Sequence, residues 1–260
     1  MDKNKGINKA LSKSYFNYLK FGERSPEKLK PLHGYIASCL EEELDDNRYL
    51  IYAKGYDKNN TEKKCKGKYY DKDVDITVDY KGTEVLGIEV KFVTSNYKQN
   101  SNNYFVSMLG ETANVKRQGL SLAQIVFIRK ELPYFKKDGK KIIKNVEVIN
   151  DHNLNKYSKL NLDKADNLYH KPDFLYLKLL DINDSEILNN YVINGDISIK
   201  KKTDYFEKII REKKYYVKII EDNSIFNANN QNLLEKENMN FFPEFIKVLS
   251  HQIKANIAKV

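Results

Sequence analysis

Asp75, Glu89 and Lys91 are the residues whose types and spacing could do chemistry in this chain, and they fall within one stretch, residues 73–92. Asp73, Asp75, Thr77 and Asp79 alternate with Val74, Ile76 and Val78, the period-two pattern of a strand with one polar face. Further on, Leu86, Ile88, Val90 and Phe92 make an apolar face, which leaves Glu89 and Lys91 together on the opposite one. Hydrolysing a phosphodiester needs a cation to offset charge in the transition state and to lower the pKa of the attacking water, and hard magnesium prefers carboxylate oxygens. Asp75 and Glu89 are the candidate magnesium ligands. Lys91 is the candidate to orient or deprotonate the water, or to stabilise developing negative charge.

Whether Asp75 shares a face with Glu89 depends on the turn, because a slip of one residue sends the two acids to opposite sides of the sheet. Asp79-Tyr80-Lys81-Gly82 has the residue types of a type I turn followed by a left-handed glycine. This predicts a three-residue loop with Asp79 paired to Thr83. Asp75 then faces Gly87, diagonal to Glu89, and Asp73 lies directly opposite Glu89, so all four polar groups share a face. A two-residue loop at Lys81-Gly82 would break that arrangement.

Asp75, a hairpin and then Glu89-Val90-Lys91 resemble the PD-(D/E)xK nuclease superfamily, with Val74 where the motif usually has proline. A hydrophobic residue usually follows the ligating aspartate of that family. Asp75-Ile76 meets this condition and so does Asp73-Val74, so either acid could be the principal ligand. The surrounding pattern extends the resemblance. Residues 32–46 read as a helix with Leu32, Ile36, Cys39, Leu40 and Leu44 on one side. Residues 49–56 read as a strand, and the hairpin follows. Residues 103–118 read as a helix with Tyr104, Phe105, Met108, Thr112 and Val115 inward, and residues 123–129 as a buried strand. Helix, three-stranded antiparallel meander, helix and further strand is the superfamily's core order. The resemblance therefore implies an α/β, restriction-endonuclease-like fold with helices on both faces of a mixed sheet. Members often add an acid from the first helix. Glu43 falls on the apolar face there, where it could approach the metal or curl out to solvent.

Lys and Arg number 45 against 36 Asp and Glu, for a net charge of +9, which suits a polyanionic partner. The run at 94–103 directly follows the catalytic strand and reads as a polar loop, with Asn96, Lys98 and Asn102 able to donate to phosphates or base edges. In the next helix Glu111, Asn114, Lys116 and Arg117 lie on the less apolar sides. The segment from Met108 to Gln118 resembles the corresponding helix of type II restriction endonucleases, where polar residues project toward DNA. Two cysteines and four scattered histidines lack the spacing of a disulfide framework or a zinc site. No apolar run has membrane-spanning length and the first residues lack a signal-peptide core, so the expectation is a cytoplasmic protein without a membrane partner.

Beyond the core, residues 134–149 read as a basic hairpin around Asp138-Gly139, Asp151 as the cap of a short helix and 173–181 as a strand. Asn194-Gly195-Asp196 reads as a turn, 203–213 as a helix, 215–221 as a strand and 223–232 as a loop. Residues 242–257 form an amphipathic helix with Phe245, Leu249, Ile253 and Ile257 toward the core. The expectation is one nuclease domain over 1–260, with a core at about 32–181, a helical extension at 1–31 and a C-terminal αβ elaboration at 182–260. The resemblance implies a magnesium-dependent, sequence-specific endonuclease of type II restriction class acting on double-stranded DNA. It also implies a homodimer and a cognate DNA methyltransferase in the same system. A different defence or repair nuclease is the nearest alternative, followed by a DNA-binding module on an inactive nuclease fold.

Overall fold

The computed structural model describes residues 2–135, 143–164, 168–184, 208, 216–220 and 241–257. The chain opens with α1 (Lys3–Phe21), whose first-turn amides are capped by the Asp2 carboxylate. A short 3-10 turn (Pro26–Lys28) leads into α2 (Lys30–Leu44), which carries Pro31 in its first turn, where no intrahelical donor is lost. Next come β1 (Tyr49–Ala53), a small hairpin of β2 (Lys63–Cys65) and β3 (Lys72–Val74), then β4 (Ile76–Tyr80) and β5 (Thr83–Val93). Helix α3 (Tyr97–Lys116), β6 (Leu122–Arg129), a second hairpin of β7 (Glu131–Phe135) and β8 (Ile143–Val148), and α4 (Asp151–Leu162) follow. The remaining described elements are β9 (Phe174–Asn183), β10 (Tyr216–Ile219) and α5 (Phe242–Ile257).

Six strands form one mixed sheet in the order β1-β4-β5-β6-β9-β10. The β1, β4 and β5 pairings are antiparallel, β5-β6-β9 is parallel, and β10 closes antiparallel on β9. Alternation along β6 divides the protein into two cores. Ala123, Ile125 and Phe127 pack with α1, α2 and α5, whereas Val126 and Ile128 pack with α3 and α4 on the other face. The fold is α/β, with helices against both faces of the sheet. Phe245, Leu249 and Ile253 are fully buried in the first core, and Ile257 packs at its edge.

The hairpin differs from the sequence expectation in an instructive way. Tyr80 pairs with Thr83 across a two-residue turn in which Lys81 (φ 52°) and Gly82 (φ 89°) are both left-handed, the type I′ geometry that matches strand twist. Alone, that turn would invert the parity. A bulge restores it: Asp79 pairs with Glu84 but Val78 pairs with Leu86, which leaves Val85 as the extra residue. Thr77 therefore faces Gly87 and Ile76 faces Ile88, and the Asp75 side chain, one step on, reaches the Val90 N–H beside Glu89. The Val85 carbonyl accepts from Asn256 Nδ2 of α5 at 2.9 Å, which satisfies a backbone group freed by the bulge.

Two further boundaries move. The predicted strand at 73–79 is broken at Asp75, and Asp73 belongs to β3, exposed and paired with Lys64 rather than opposite Glu89. Helix α3 begins at Tyr97, so most of the expected loop at 94–103 is helical. Asn96 ends the preceding segment in the left-handed conformation, and the fully buried Tyr97 anchors the first turn. Met108, Thr112 and Val115 are buried as expected, whereas Tyr104 is 39% exposed. Asn150 caps α4 with a capping box to Asn153, and Asp151 is its first helical residue. The expected turns at Asp138-Gly139 and 194–196, the loop at 223–232 and all but one residue of the expected helix at 203–213 lie outside the described residues.

Candidate functional site

Glu89 lies in the middle of β5, between β4 and β6, and is 2% exposed. Asp75 sits at the joint between β3 and β4, and its Oδ2 accepts the Val90 N–H at 2.7 Å, which fixes the carboxylate beside the Glu-x-Lys triplet. Lys91 Nζ lies 3.7 Å from Glu89 Oε2 and 3.3 Å from Glu111 Oε2. The structure thus brings Asp75, Glu89 and Lys91 into one cluster. Glu111, expected to face solvent or DNA, reaches back from α3 to join them.

Lys72 also belongs to the cluster, and the alternation hid it. Its Nζ lies 3.4 Å from Glu89 Oε1 and 3.7 Å from Glu111 Oε2. In an unbroken strand Lys72 would share the apolar face of Val74. The break at Asp75 turns β3 away from β4 and frees it from that parity. Gln124 is a second addition: it pairs in register with Glu89 from β6, is fully buried, and donates to Thr112 Oγ1 at 3.4 Å.

The electrostatics follow from burial. Burial first and then the Asp75 charge push the Glu89 carboxyl up to about 8, against the opposing pull of Lys91 and Lys72. Its Oε1 is buried and makes no hydrogen bond, the Lys72 ammonium standing 3.4 Å away as an ion pair. For Lys91, burial acts to lower the pKa, but Glu89, Glu111 and Asp75 together outweigh it and the ammonium ends above its ordinary value. Lys72 shows the same balance, with Glu89 and Glu111 overcoming desolvation. Both lysines are therefore cations at neutral pH, so Lys91 is suited to holding negative charge rather than to removing a proton.

A third group meets Asp75 from another direction. Among the described residues, ligand atoms of His33, Glu62 and Asp75 all lie within 4.8 Å of one another. Glu89 is not in this set, its carboxylate being turned toward the two lysines. His33 carries no sequence signal, since one histidine on an apolar helical face is the pattern of a packed core residue.

The other expected site residues divide. Asn114 is buried and clamps a loop: its Oδ1 accepts from the Tyr69 and Tyr70 N–H groups, and its Nδ2 donates to the Tyr70 carbonyl. It is not free to read a base. Lys116 is bound to the Lys171 carbonyl and to Asp173. Asn102 accepts from Lys156 at 3.1 Å. Arg117 is exposed, its guanidinium 5.0 Å from the Tyr169 ring centre, and Lys98 is exposed near the start of α3. Asn96 is half-buried and makes no side-chain cap hydrogen bond. Glu43 pairs with Lys3 on α1, and Asp73 is exposed on β3 opposite Lys64; neither joins the cluster.

In comparison with known proteins, no family model matches this chain and no curated protein matches it in sequence.

Proposed function

We propose that this chain is a divalent-cation-dependent deoxyribonuclease of the PD-(D/E)xK type, closest in character to a type II restriction endonuclease acting on duplex DNA. The observation that carries the reading is the meeting of Asp75, at the joint of β3 and β4, with Glu89 and Lys91 of β5. In support, α2, β1, β4, β5, α3 and β6 follow the order of a helix, an antiparallel meander, a helix and a parallel strand, with the β2–β3 hairpin inserted. A cation fits the donor set, because burial and then the Asp75 charge raise the Glu89 carboxyl, and its Oε1 makes no hydrogen bond and meets Lys72 at 3.4 Å. Magnesium held by Asp75 and Glu89 would offset transition-state charge and acidify an attacking water. Lys91, oriented by Glu89 and Glu111, would hold the negative charge growing on the phosphate. The net charge of +9 suits the DNA backbone. Two copies on a two-fold site would cut symmetrically, with a cognate methyltransferase protecting cytoplasmic host DNA.

Incubating the full-length protein with phage DNA and magnesium, then sequencing the fragment ends, tests the proposal. Discrete ends are expected. Glu89→Gln and Lys91→Ala should each slow cleavage by at least about 100-fold while calcium-supported DNA affinity stays within a few-fold, since phosphate contacts elsewhere supply most of the binding. Random ends would keep the nuclease and remove the restriction assignment. Intact DNA would overturn both.

A further inference from the structure

We propose that His33, Glu62 and Asp75 form a second divalent-cation site, distinct from the Glu89 pocket but sharing Asp75 with it, that takes a first-row transition metal such as manganese in preference to magnesium. The site's use in catalysis rests on the nuclease reading, whereas cation binding rests on the three side chains alone.

The argument begins with how His33 is held. Helix α2 presses against the turn after β1 at two glycines: a Cβ on Gly34 would lie 2.0 Å from the Gly55 carbonyl oxygen, and one on Gly55 would lie 2.1 Å from that of Lys30. This approach lowers the first turns of α2 onto the sheet and buries His33 to 2% exposure. Neither Nδ1 nor Nε2 has a hydrogen-bond partner. An imidazole buried in that state is unfavourable unless a ligand completes it.

The two acids are already oriented. Asp75 uses Oδ2 to accept the Val90 N–H, and Glu62 uses Oε2 to pair with Lys54 at 2.6 Å. Each keeps a second oxygen, and the bonds to the first restrain the carboxylate in the manner of outer-shell partners of a metal ligand. Lys28 and Lys54 stand close enough to act electrostatically on His33, but neither satisfies a ring nitrogen. One imidazole with two carboxylates is a mixed donor set that suits first-row transition dications, whereas magnesium favours oxygen alone. With Asp75 common to both sets, two cations could flank one carboxylate, the geometry of two-metal phosphodiester hydrolysis.

Pulsed EPR of the full-length protein loaded with Mn2+ is the test. Wild type should show nitrogen coupling from a directly bound imidazole, and Glu89→Gln should retain it. His33→Ala should lose it, and Glu62→Gln should weaken Mn2+ binding by about 10- to 100-fold, with Mg2+ affinity changing less in both variants. Absence of nitrogen coupling in wild type, or its survival in His33→Ala, would overturn the proposal. If His33→Ala fails to fold by circular dichroism, the wild-type spectrum and the Glu62→Gln titration still decide it. Nitrogen coupling without DNA cleavage would leave this site standing and remove the nuclease reading; magnesium-supported cleavage without nitrogen coupling would do the reverse.

Discussion

At the residue scale, Glu89 bears the largest electrostatic cost in the described cluster, and that cost has a sign that can be measured. The folded chain holds its proton more tightly than the unfolded chain does, so metal-free stability should fall as pH rises from the ordinary 4.5 toward about 8. His33 acts oppositely. Burial depresses its pKa, so acidification below the ordinary 6.5 favours the unfolded chain, which takes the proton more readily. Above that point the Glu89 slope leads, on the order of 1 kcal/mol per pH unit. Denaturant midpoints in EDTA between pH 6.5 and 8 should decline for wild type and flatten in Glu89→Gln; a flat wild-type profile would show that Glu89 is already ionised. Asn114 makes a different point at this scale. Its type and helical position are equally suited to reading adenine and to tying down a loop, and only the neighbouring backbone of residues 68–70 distinguishes the two.

At the element scale, the buried Arg129–Asp184 pair joins the ends of β6 and β9 to α1. Arg129 donates twice to Asp184, at 2.7 and 2.8 Å, and Tyr15 donates to the same carboxylate. Removing one partner strands the other charge in the interior. Asp184→Ala should therefore cost about 3–5 kcal/mol, read as a lower denaturant midpoint, and Arg129→Met with Asp184→Leu should recover part of the loss; a cost below about 1 kcal/mol would contradict this. The elements themselves are largely legible, because α2, β5 and α5 carry the periodicity of the face they bury and β6 is an apolar run buried on both faces. What sequence periodicity could not show was the interruption of that pattern. The break at Asp75 removed Asp73 and admitted Lys72, and the bulge at Val85 compensated for a misread turn. Asp75 is thus a neighbour of Glu89 through the Val90 N–H, in a register that the three-residue loop does not give. His33 and Glu62 were illegible because residues 62 and 75 meet only after an inserted hairpin turns back on the sheet.

At the scale of the whole molecule, the sequence carries a net charge of +9, whereas the described cluster sets three carboxyls beside two lysines. If DNA is the partner, that positive charge should bear on its phosphates, and binding should weaken steeply with salt, by close to one unit of logarithmic slope per phosphate contacted. Titrating duplex affinity in calcium from low to physiological salt measures this; an affinity independent of salt would argue against a nucleic-acid partner. Exposed Arg117 and Lys98 are better placed to contribute to that slope than Asn114 or Lys116, which are engaged internally.

The Asn256 contact with Val85 ties these scales together. The carbonyl it holds belongs to the one residue that sets the phase of β5, so helix α5 takes part in aiming Glu89 although it contributes no atom to the cluster. If the chain is the nuclease proposed above, a protease nick, a bulky fusion or a crowded binding partner that pried this helix loose would be diagnosed in a cleavage assay as damage to the Asp75–Glu89–Lys91 cluster. Sequencing residues 72–93 of such a preparation would find nothing altered.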